Sequence, residues 1–253
     1  MSYLSESVTW VINSRSRLNP NTSTSTNFKF SVNKNINRIT KVNVASVQIP
    51  FTYYAINSSN NKLTFNGGIV SIQISPGNYN ISSLILELTN KINTAFNDNT
   101  TSITYSNSTF KLTISRGTAF IVDSANDIAA STLASNLGFR VSSPSNLSAT
   151  SDSSINLSGP KYITIDSIYL TRLLNTRMIY SDDSLSDTLA VVPVDVSPGD
   201  TITTSKVTNT VMLGKKTKIL STDIIDISIK DEYRNILDLN GNDISIQIVF
   251  YIE

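Results

Sequence analysis

The sequence contains neither cysteine nor histidine. Without cysteine there can be no disulfide framework and no thiolate chemistry. Without histidine there can be no Ser–His pair, no zinc site of the usual Cys/His kind and no imidazole switch near neutral pH. Catalysis by carboxylates or lysine stays open, but histidine is the commonest general base. We therefore expect a protein that is not an enzyme and has no catalytic residue, cofactor or metal site.

Charge is also scarce, because charged residues make up 15% of the chain and the net charge is +1. Ser, Thr and Asn supply the polar character instead. An AT-rich genome would explain this composition, and so would a surface that stays soluble through neutral hydrogen bonds until it packs against neighbours. A near-neutral chain is poorly suited to broad electrostatic capture of nucleic acid or of an acidic membrane. We expect no sequence-specific nucleic-acid partner.

Long apolar runs are missing as well. Leu189–Val194 is among the longest and is far too short to span a bilayer, so we expect no transmembrane segment. The first ten residues include Glu6 and lack a basic region, which is not typical of a signal peptide. These features predict a protein that is made and folded in a reducing, soluble compartment.

Short segments rich in β-branched residues dominate the chain. Three precede residue 62 and five follow residue 159, and eight antiparallel strands with long connections are typical of a jelly roll. The predicted fold is all-β, a single eight-stranded antiparallel jelly roll formed by residues 1–61 and 160–253. The predicted strands are Ser7–Ile12, Asn27–Val32, Arg38–Ile49, Tyr162–Leu170, Thr188–Val194, Lys206–Leu213, Asp223–Lys230 and Asp243–Ile252.

An α+β module is predicted at residues 62–141, between the third and fourth strands of the roll. Asn66-Gly67-Gly68 predicts a hairpin turn, and Asn80 is a suitable N-cap for an amphipathic helix that begins at Ile81. Strands at Ser102–Tyr105, Phe110–Ser115 and Ala119–Val122 and a short helix from Asp127 to Leu137, closed by Gly138, complete it. Residues 142–159 are Ser-rich and poorly periodic, and we predict a linker there.

Several short motifs resemble binding sites. Gly214-Lys215-Lys216-Thr217 lacks the earlier glycine of a phosphate-binding loop, and a basic turn is the better prediction. Asp238–Asp243 has the alternating oxygen ligands of a calcium loop but a misplaced glycine, so a type I′ turn at Asn240-Gly241 is favoured. Asp182-Asp183 could bind a cation but is better explained as a loop tip. The ten tyrosines leave sugar binding open, although strand-end tyrosines more often anchor a core.

Three segments and a C-terminal pattern together carry a family resemblance that covers most of the chain. They resemble the penton (vertex capsid) proteins of virophages, Polinton-like elements and nucleocytoplasmic large DNA viruses, and the size and Asn/Ile-rich composition favour a virophage. The matching segments are Asn13–Pro20 with its tether to Asn27-Phe28, Lys41–Pro50 with Tyr53, Tyr54 and Asn57, Pro76–Tyr79 with Leu137–Phe139, and Asp226–Phe250.

This resemblance implies a jelly roll standing upright in an icosahedral shell, with five copies around each five-fold axis. It implies a homopentamer that contacts trimers of the major capsid protein, a virion location at the capsid vertices after synthesis in the host cytoplasm, and a projecting module that could bind a host receptor. The candidate interface residues are Arg15, Arg17, Pro20, Tyr53 and Tyr54. The two arginines could instead cap a strand end within their own subunit. A receptor- or glycan-binding adhesin and a minor cement protein between capsomers are the alternative functions.

Overall fold

The computed structural model describes residues 6–174, 178–179, 185–204 and 210–252. The chain divides into two compact units. We call Met1–Tyr53 with Pro160–Glu253 the sandwich unit, and Tyr54–Gly159 the inserted unit. The inserted unit begins before the predicted residue 62, because Ile56 forms a backbone bridge with Gly77 and Asn61 donates its side-chain amide to the Ile74 carbonyl.

Three strands precede the inserted unit. They are β1 (Glu6–Asn13), β2 (Asn27–Ser31) and β3 (Ile36–Pro50). The alternation of inward apolar and outward polar side chains predicted all three to within two residues. Pro50 is the last residue of β3 and still pairs with Thr201, since a proline can close a strand although it donates no ladder hydrogen bond.

The inserted unit has its own core. Its elements are β4 (Lys62–Phe65), β5 (Val70–Gln73), α1 (Ile81–Phe96), β6 (Ser102–Tyr105), β7 (Leu112–Phe120) and β8 (Asn146–Thr150). The hairpin between β4 and β5 turns at Asn66, Gly67 and Gly68, which all have positive φ. Asn80 caps α1 through a capping box with Ser83, and α1 buries Leu84, Leu88 and Ile92. The hairpin, the cap and the helix agree with their predictions.

Three predictions about elements of the inserted unit are wrong. The supposed linker 142–159 contains β8, which pairs with β7 and is held by the hydroxyl pairs Thr113–Thr150 and Ser115–Ser148. The short helix from Asp127 is replaced by a series of turns, because the Asp127 carboxylate binds the Ser124 hydroxyl and the Ser142 amide instead of capping a helix. The segments Phe110–Ser115 and Ala119–Val122, predicted as separate strands, contribute to the one strand β7.

The remaining elements return to the sandwich unit. They are β9 (Tyr162–Asp166), α2 (Ile168–Leu174), β10 (Met178–Ile179), β11 (Leu185–Ser186), β12 (Thr188–Pro193), β13 (Thr201–Thr204), β14 (Thr210–Ile219), β15 (Ile224–Asp231) and β16 (Ser245–Ile252). The predicted strand Tyr162–Leu170 ends at Asp166, because Asp226 accepts the Ile168 and Tyr169 amides at 2.8 Å each and starts α2. Of the predicted strand Lys206–Leu213, residues 205–209 lie outside the described residues.

Two antiparallel sheets form the sandwich unit. One has the order β1-β16-β3-β13, with β14 also pairing with β3, and the other has the order β12-β9-β15-β2. Their inner faces share one core, which includes Val44 of β3, Ile165 of β9, Ile227 of β15 and Ile248 of β16. The fold is therefore all-β, antiparallel and jelly-roll-like, as predicted.

Candidate assembly interface

The candidate arginines lie where the first and last strands of the sandwich unit meet. Asn13 ends β1 and pairs with Ser245, the first residue of β16, so that Asp243 comes beside the turn that follows β1. That turn is a short 3-10 helix at Ser14–Ser16, and the Asn13 side chain caps it by accepting the Arg15 amide at 2.9 Å. We call Ser14, Arg15, Arg17 and Asp243 the Asp243 cluster.

Ser14, Arg15 and Arg17 all bind the carboxylate of Asp243. The Ser14 hydroxyl donates to Oδ1 at 2.8 Å, Arg15 Nε donates to Oδ2 at 3.1 Å, and Arg17 Nη1 lies 3.4 Å from Oδ1. Arg17 Nη1 also donates to the Ser14 carbonyl at 2.9 Å. The Ser14 hydroxyl, followed by Arg15 and Arg17, lowers the pKa of Asp243 below its usual value despite the opposing effect of burial.

The two arginines differ in exposure. The side chain of Arg17 is 21% exposed, whereas that of Arg15 is 83% exposed. Both cap the strand end within the subunit, which was the alternative hypothesis for them. Arg15, however, uses only Nε of its guanidinium for bonds among the described residues, so both of its Nη groups can bind another molecule. Arg17 therefore stabilises the fold. Arg15 also caps the strand end, but it can bind another molecule at an interface at the same time.

Pro20 lies apart from the Asp243 cluster, in the connection between β1 and β2. It is exposed and occupies the second position of a turn in which the Thr22 amide donates to the Asn19 carbonyl at 3.0 Å. Proline favours that position because its φ is already fixed near the required value. Its exposure is compatible with an interface, but its structural role is to shape the tether.

Tyr53 is wrongly placed among the interface candidates. Its side chain is 2% exposed and its ring stacks on Phe51 with 4.3 Å between the ring centroids. Burial raises the pKa of its phenol. A tyrosine at a strand end can face either the core or the solvent, and the side chain of Tyr53 faces the core. Tyr54 begins the inserted unit and is 40% exposed, so it can still contact another molecule.

Asp243 is the residue that the sequence-based prediction missed. It lies at the end of the loop considered as a calcium site, where Asn240 and Gly241 have φ of 51° and 82° and the Asn242 amide donates to the Leu239 carbonyl. That geometry confirms the type I′ turn. The adjacent Asp238 accepts the Asn240 amide at 2.9 Å. Only the pairing of β1 with β16 could have indicated that Asp243 meets Arg15.

The other short motifs do not form sites in the described residues. Gly214-Lys215-Lys216-Thr217 lies within β14 and not in a turn, so that prediction is wrong. Asp182-Asp183 lies outside the described residues. Over the described ranges, no group of three or more acidic side chains is placed to hold a metal ion. The helices α1 and α2, within the same ranges, are too short or too polar to cross a membrane.

Comparison with known proteins identifies a family and similarities to solved structures. No curated protein sequence matches the chain. The fold is similar to the crystal structure of the selenomethionine-labelled mavirus penton protein, with a TM-score of 0.49 and 8% sequence identity over 98% of this chain and 100% of that one. Residues 3–245 match the model of a family of unknown function, DUF5901, and the chain belongs to that family.

Proposed function

We propose that this chain is a structural capsid protein that forms the pentameric vertex, or penton, of an icosahedral DNA virus shell. The order of strands in the sandwich unit supports this proposal most strongly. Sheets ordered β1-β16-β3-β13 and β12-β9-β15-β2 are expected when two Greek keys form a jelly roll. The inserted unit interrupts the chain between β3 and β9, which are the third and fourth strands of the proposed roll.

The number of strand positions supports a single eight-stranded roll. β13 pairs with Val47–Pro50 of β3, whereas β14 pairs with residues between Ile36 and Asn43 of the same strand. The two therefore occupy successive parts of one strand position beside β3. Among the residues that the structure describes, the short strands β10 and β11 pair only with each other and add no position to either sheet.

The chemistry of the chain supports a structural role in place of catalysis. Its buried or partly buried carboxylates are used for structure: Asp226 starts α2, Asp243 joins the first and last strands, and Asp166 accepts Lys230 Nζ at 2.7 Å and the Thr188 hydroxyl at 2.8 Å. The absence of cysteine and histidine supports the same inference. So does a surface of small polar side chains, which lose little conformational entropy when they pack against neighbours.

The finer parts of the proposal follow from the sequence resemblance. We infer a virophage-type capsid, a homopentamer at each vertex in contact with major capsid protein trimers, and synthesis in the host cytoplasm before assembly into virions. The inserted unit is the proposed receptor-binding part. Its exposed Ile69, Phe110 and Leu147 are available for such contacts.

Icosahedral reconstruction of particles that contain a tagged full-length chain tests the proposal. Five copies of the chain confined to the vertices are expected. Single copies scattered between capsomers would overturn it in favour of a cement protein. Selective binding of the full-length chain to a glycan array, together with particles whose vertices contain another protein, would overturn it in favour of an adhesin.

A further inference from the structure

We infer that neighbouring copies of the chain meet edge to edge at one end of the sandwich unit, where Arg15 of one copy binds Asp200 of the next. This inference rests on the proposed pentamer and names the contact that would build it. A ring of identical subunits needs two different, complementary surfaces on each copy, since the interface is heterologous and must close on itself.

The strand register places the two residues at the same end of one sheet. A single row across that sheet contains Asn13 of β1, Ser245 of β16, Gln48 of β3 and Thr203 of β13. Arg15 follows the end of β1, and Asp200 immediately precedes β13. β1 and β13 are the first and last strands of the sheet order, which separates them by three strand spacings, about 14 Å. The cation Arg15 and the anion Asp200 therefore lie at the same end of the sheet but at its two opposite edges.

Both groups are held in position and presented to solvent. The backbone of Asp200 is fixed because its carbonyl accepts the Phe51 amide at 2.8 Å and its amide donates to the Ser197 carbonyl at 3.0 Å. Its side chain is exposed and makes no bond to another described residue. Asp195, on the same loop, is exposed as well. The free Nη groups of Arg15 form a fork that suits a carboxylate, so the two edges are complementary in charge and geometry.

The edge formed by β1 gives a second reason to expect protein beside it. This strand pairs with β16 over eight residues without a register shift, contains no lysine or proline, and leaves Val11 66% exposed. Long, regular edge strands usually carry bulges, lysine or proline that prevent unwanted pairing. At the other edge of the sheet, β14 has two register shifts in its pairing with β3. The unprotected edge is therefore expected to be covered, and a second copy supplies the cover.

A groove beside that edge could accept side chains of the neighbour. It has a volume of about 410 Å³ and lies between β1 and β2, which are edge strands of the two sheets. Trp10, Val11 and Phe30 line it together with small polar residues. An apolar anchor within a polar rim is the usual arrangement at protein interfaces.

Charge reversal tests the ion pair. Arg15→Glu and Asp200→Arg, made singly in the full-length chain, should each lower vertex occupancy in assembled particles by roughly tenfold or more, because like charges then face each other. The double variant should restore occupancy. Lys62→Glu is the matched control, since it makes the same charge change as Arg15→Glu on an exposed residue of the inserted unit, outside the sheet whose edges carry the proposed contact. Unchanged occupancy for both single variants, or no rescue by the double variant, would overturn the inference.

Cross-linking gives an independent test that does not depend on the stability of charge-reversed variants. The chain has no cysteine, so Arg15→Cys and Asp200→Cys introduce the only thiols. A short bismaleimide should link the double variant in particles into a ladder of up to five chains, since an Arg–Asp pair is spaced too widely for a disulfide. Vertices with five copies but no ladder, or a ladder in either single variant, would overturn the interface alone. Particles without five-copy vertices would overturn the proposed function and this interface together.

Discussion

The Ser14 hydroxyl donates a 2.8 Å hydrogen bond to Oδ1 of Asp243, a residue 229 positions later in the chain. Ser14 is fully buried, and its hydroxyl oxygen also accepts the Ile244 amide at 3.0 Å. The Ser14 amide in turn donates to the Ile244 carbonyl. One small side chain thus fixes the turn after the first strand to the start of the last strand, and positions both candidate arginines.

Ser14→Ala should destabilise the sandwich unit by about 1–3 kcal/mol, because it leaves the buried Ile244 amide without its partner. Urea unfolding followed by tryptophan fluorescence measures this unit alone. The single tryptophan, Trp10, lies in β1 and packs against Phe30 and Phe250. Ser16→Ala, at an exposed serine in the same turn, should change stability by less than about 0.5 kcal/mol. Equal effects of the two substitutions would contradict the role assigned to Ser14.

The same fluorescence measurement should show acid sensitivity that depends on Asp243. Its folded-state pKa lies below the ordinary value of 3.8, first because of the Ser14 hydroxyl and then because of Arg15 and Arg17. A lowered pKa gives stability that is complete above the unfolded-state pKa and is lost as the pH falls through the folded-state value. We expect the free energy of unfolding to decline below about pH 4, and to decline less in Asp243→Asn than in the wild type. An identical decline in the variant would show that other carboxylates, such as Asp223, cause it.

Arginine truncation should separate the folding role from the assembly role. Arg17→Ala removes the 2.9 Å bond to the Ser14 carbonyl and a largely buried side chain, and should cost about 1 kcal/mol in the unfolding of the sandwich unit. Arg15→Ala should cost less than about 0.5 kcal/mol, because its pair with Asp243 is solvent-exposed. The opposite order, measured by the same urea titration, would refute this division.

Local patterns predicted most of the elements, but not the contacts that build the candidate site. Period-two alternation was sufficient for β1 and β3, and the N-cap Asn80 was sufficient for the start of α1, since both depend on neighbouring residues. β8 was missed because a Ser- and Thr-rich strand has little apolar periodicity, and its hydroxyls find partners only across β7. The Asp243 cluster forms only because the first strand pairs with the last, which no local pattern shows. The burial of Tyr53 depends on which side of the chain faces the core after β3, and a local pattern does not show that either.

Arg116 offers a test of packing against charge in the inserted unit. Its side chain is 1% exposed, its guanidinium lies 3.5 Å from the centroid of the Phe96 ring, and it pairs with Asp98. Two of its nitrogens, Nε and Nη1, are buried without a hydrogen bond among the described residues. Arg116→Ala should cost about 2–4 kcal/mol because it leaves a void beside Phe96 and Phe120.

Arg116→Met should cost much less than Arg116→Ala, within about 1 kcal/mol of the wild type, because an apolar side chain of similar length fills the space without burying a charge. Hydrogen exchange of peptides from α1 and β7 measures the difference within the inserted unit. Equal loss of protection in the two variants would mean that the ion pair with Asp98, and not the packing between the rings, stabilises this region.

Gly138 should be the least replaceable glycine of the inserted unit. It has φ of +87°, and a Cβ added there would lie 2.2 Å from the Ser153 carbonyl oxygen. Gly67 is the matched control, since its φ of +71° imposes a similar backbone penalty but no atom lies within 4 Å of its added Cβ. Gly67→Ala should cost about 1 kcal/mol, the strain of a left-handed alanine. Gly138→Ala should cost at least about 2 kcal/mol more, because Ser153 is bonded to Gly138 and the segment after β8 must move. Hydrogen exchange of β8 would measure the difference in stability between the two variants. Equal protection in both would contradict the prediction, because it would show that the segment at Ser153 can move without destabilising the inserted unit.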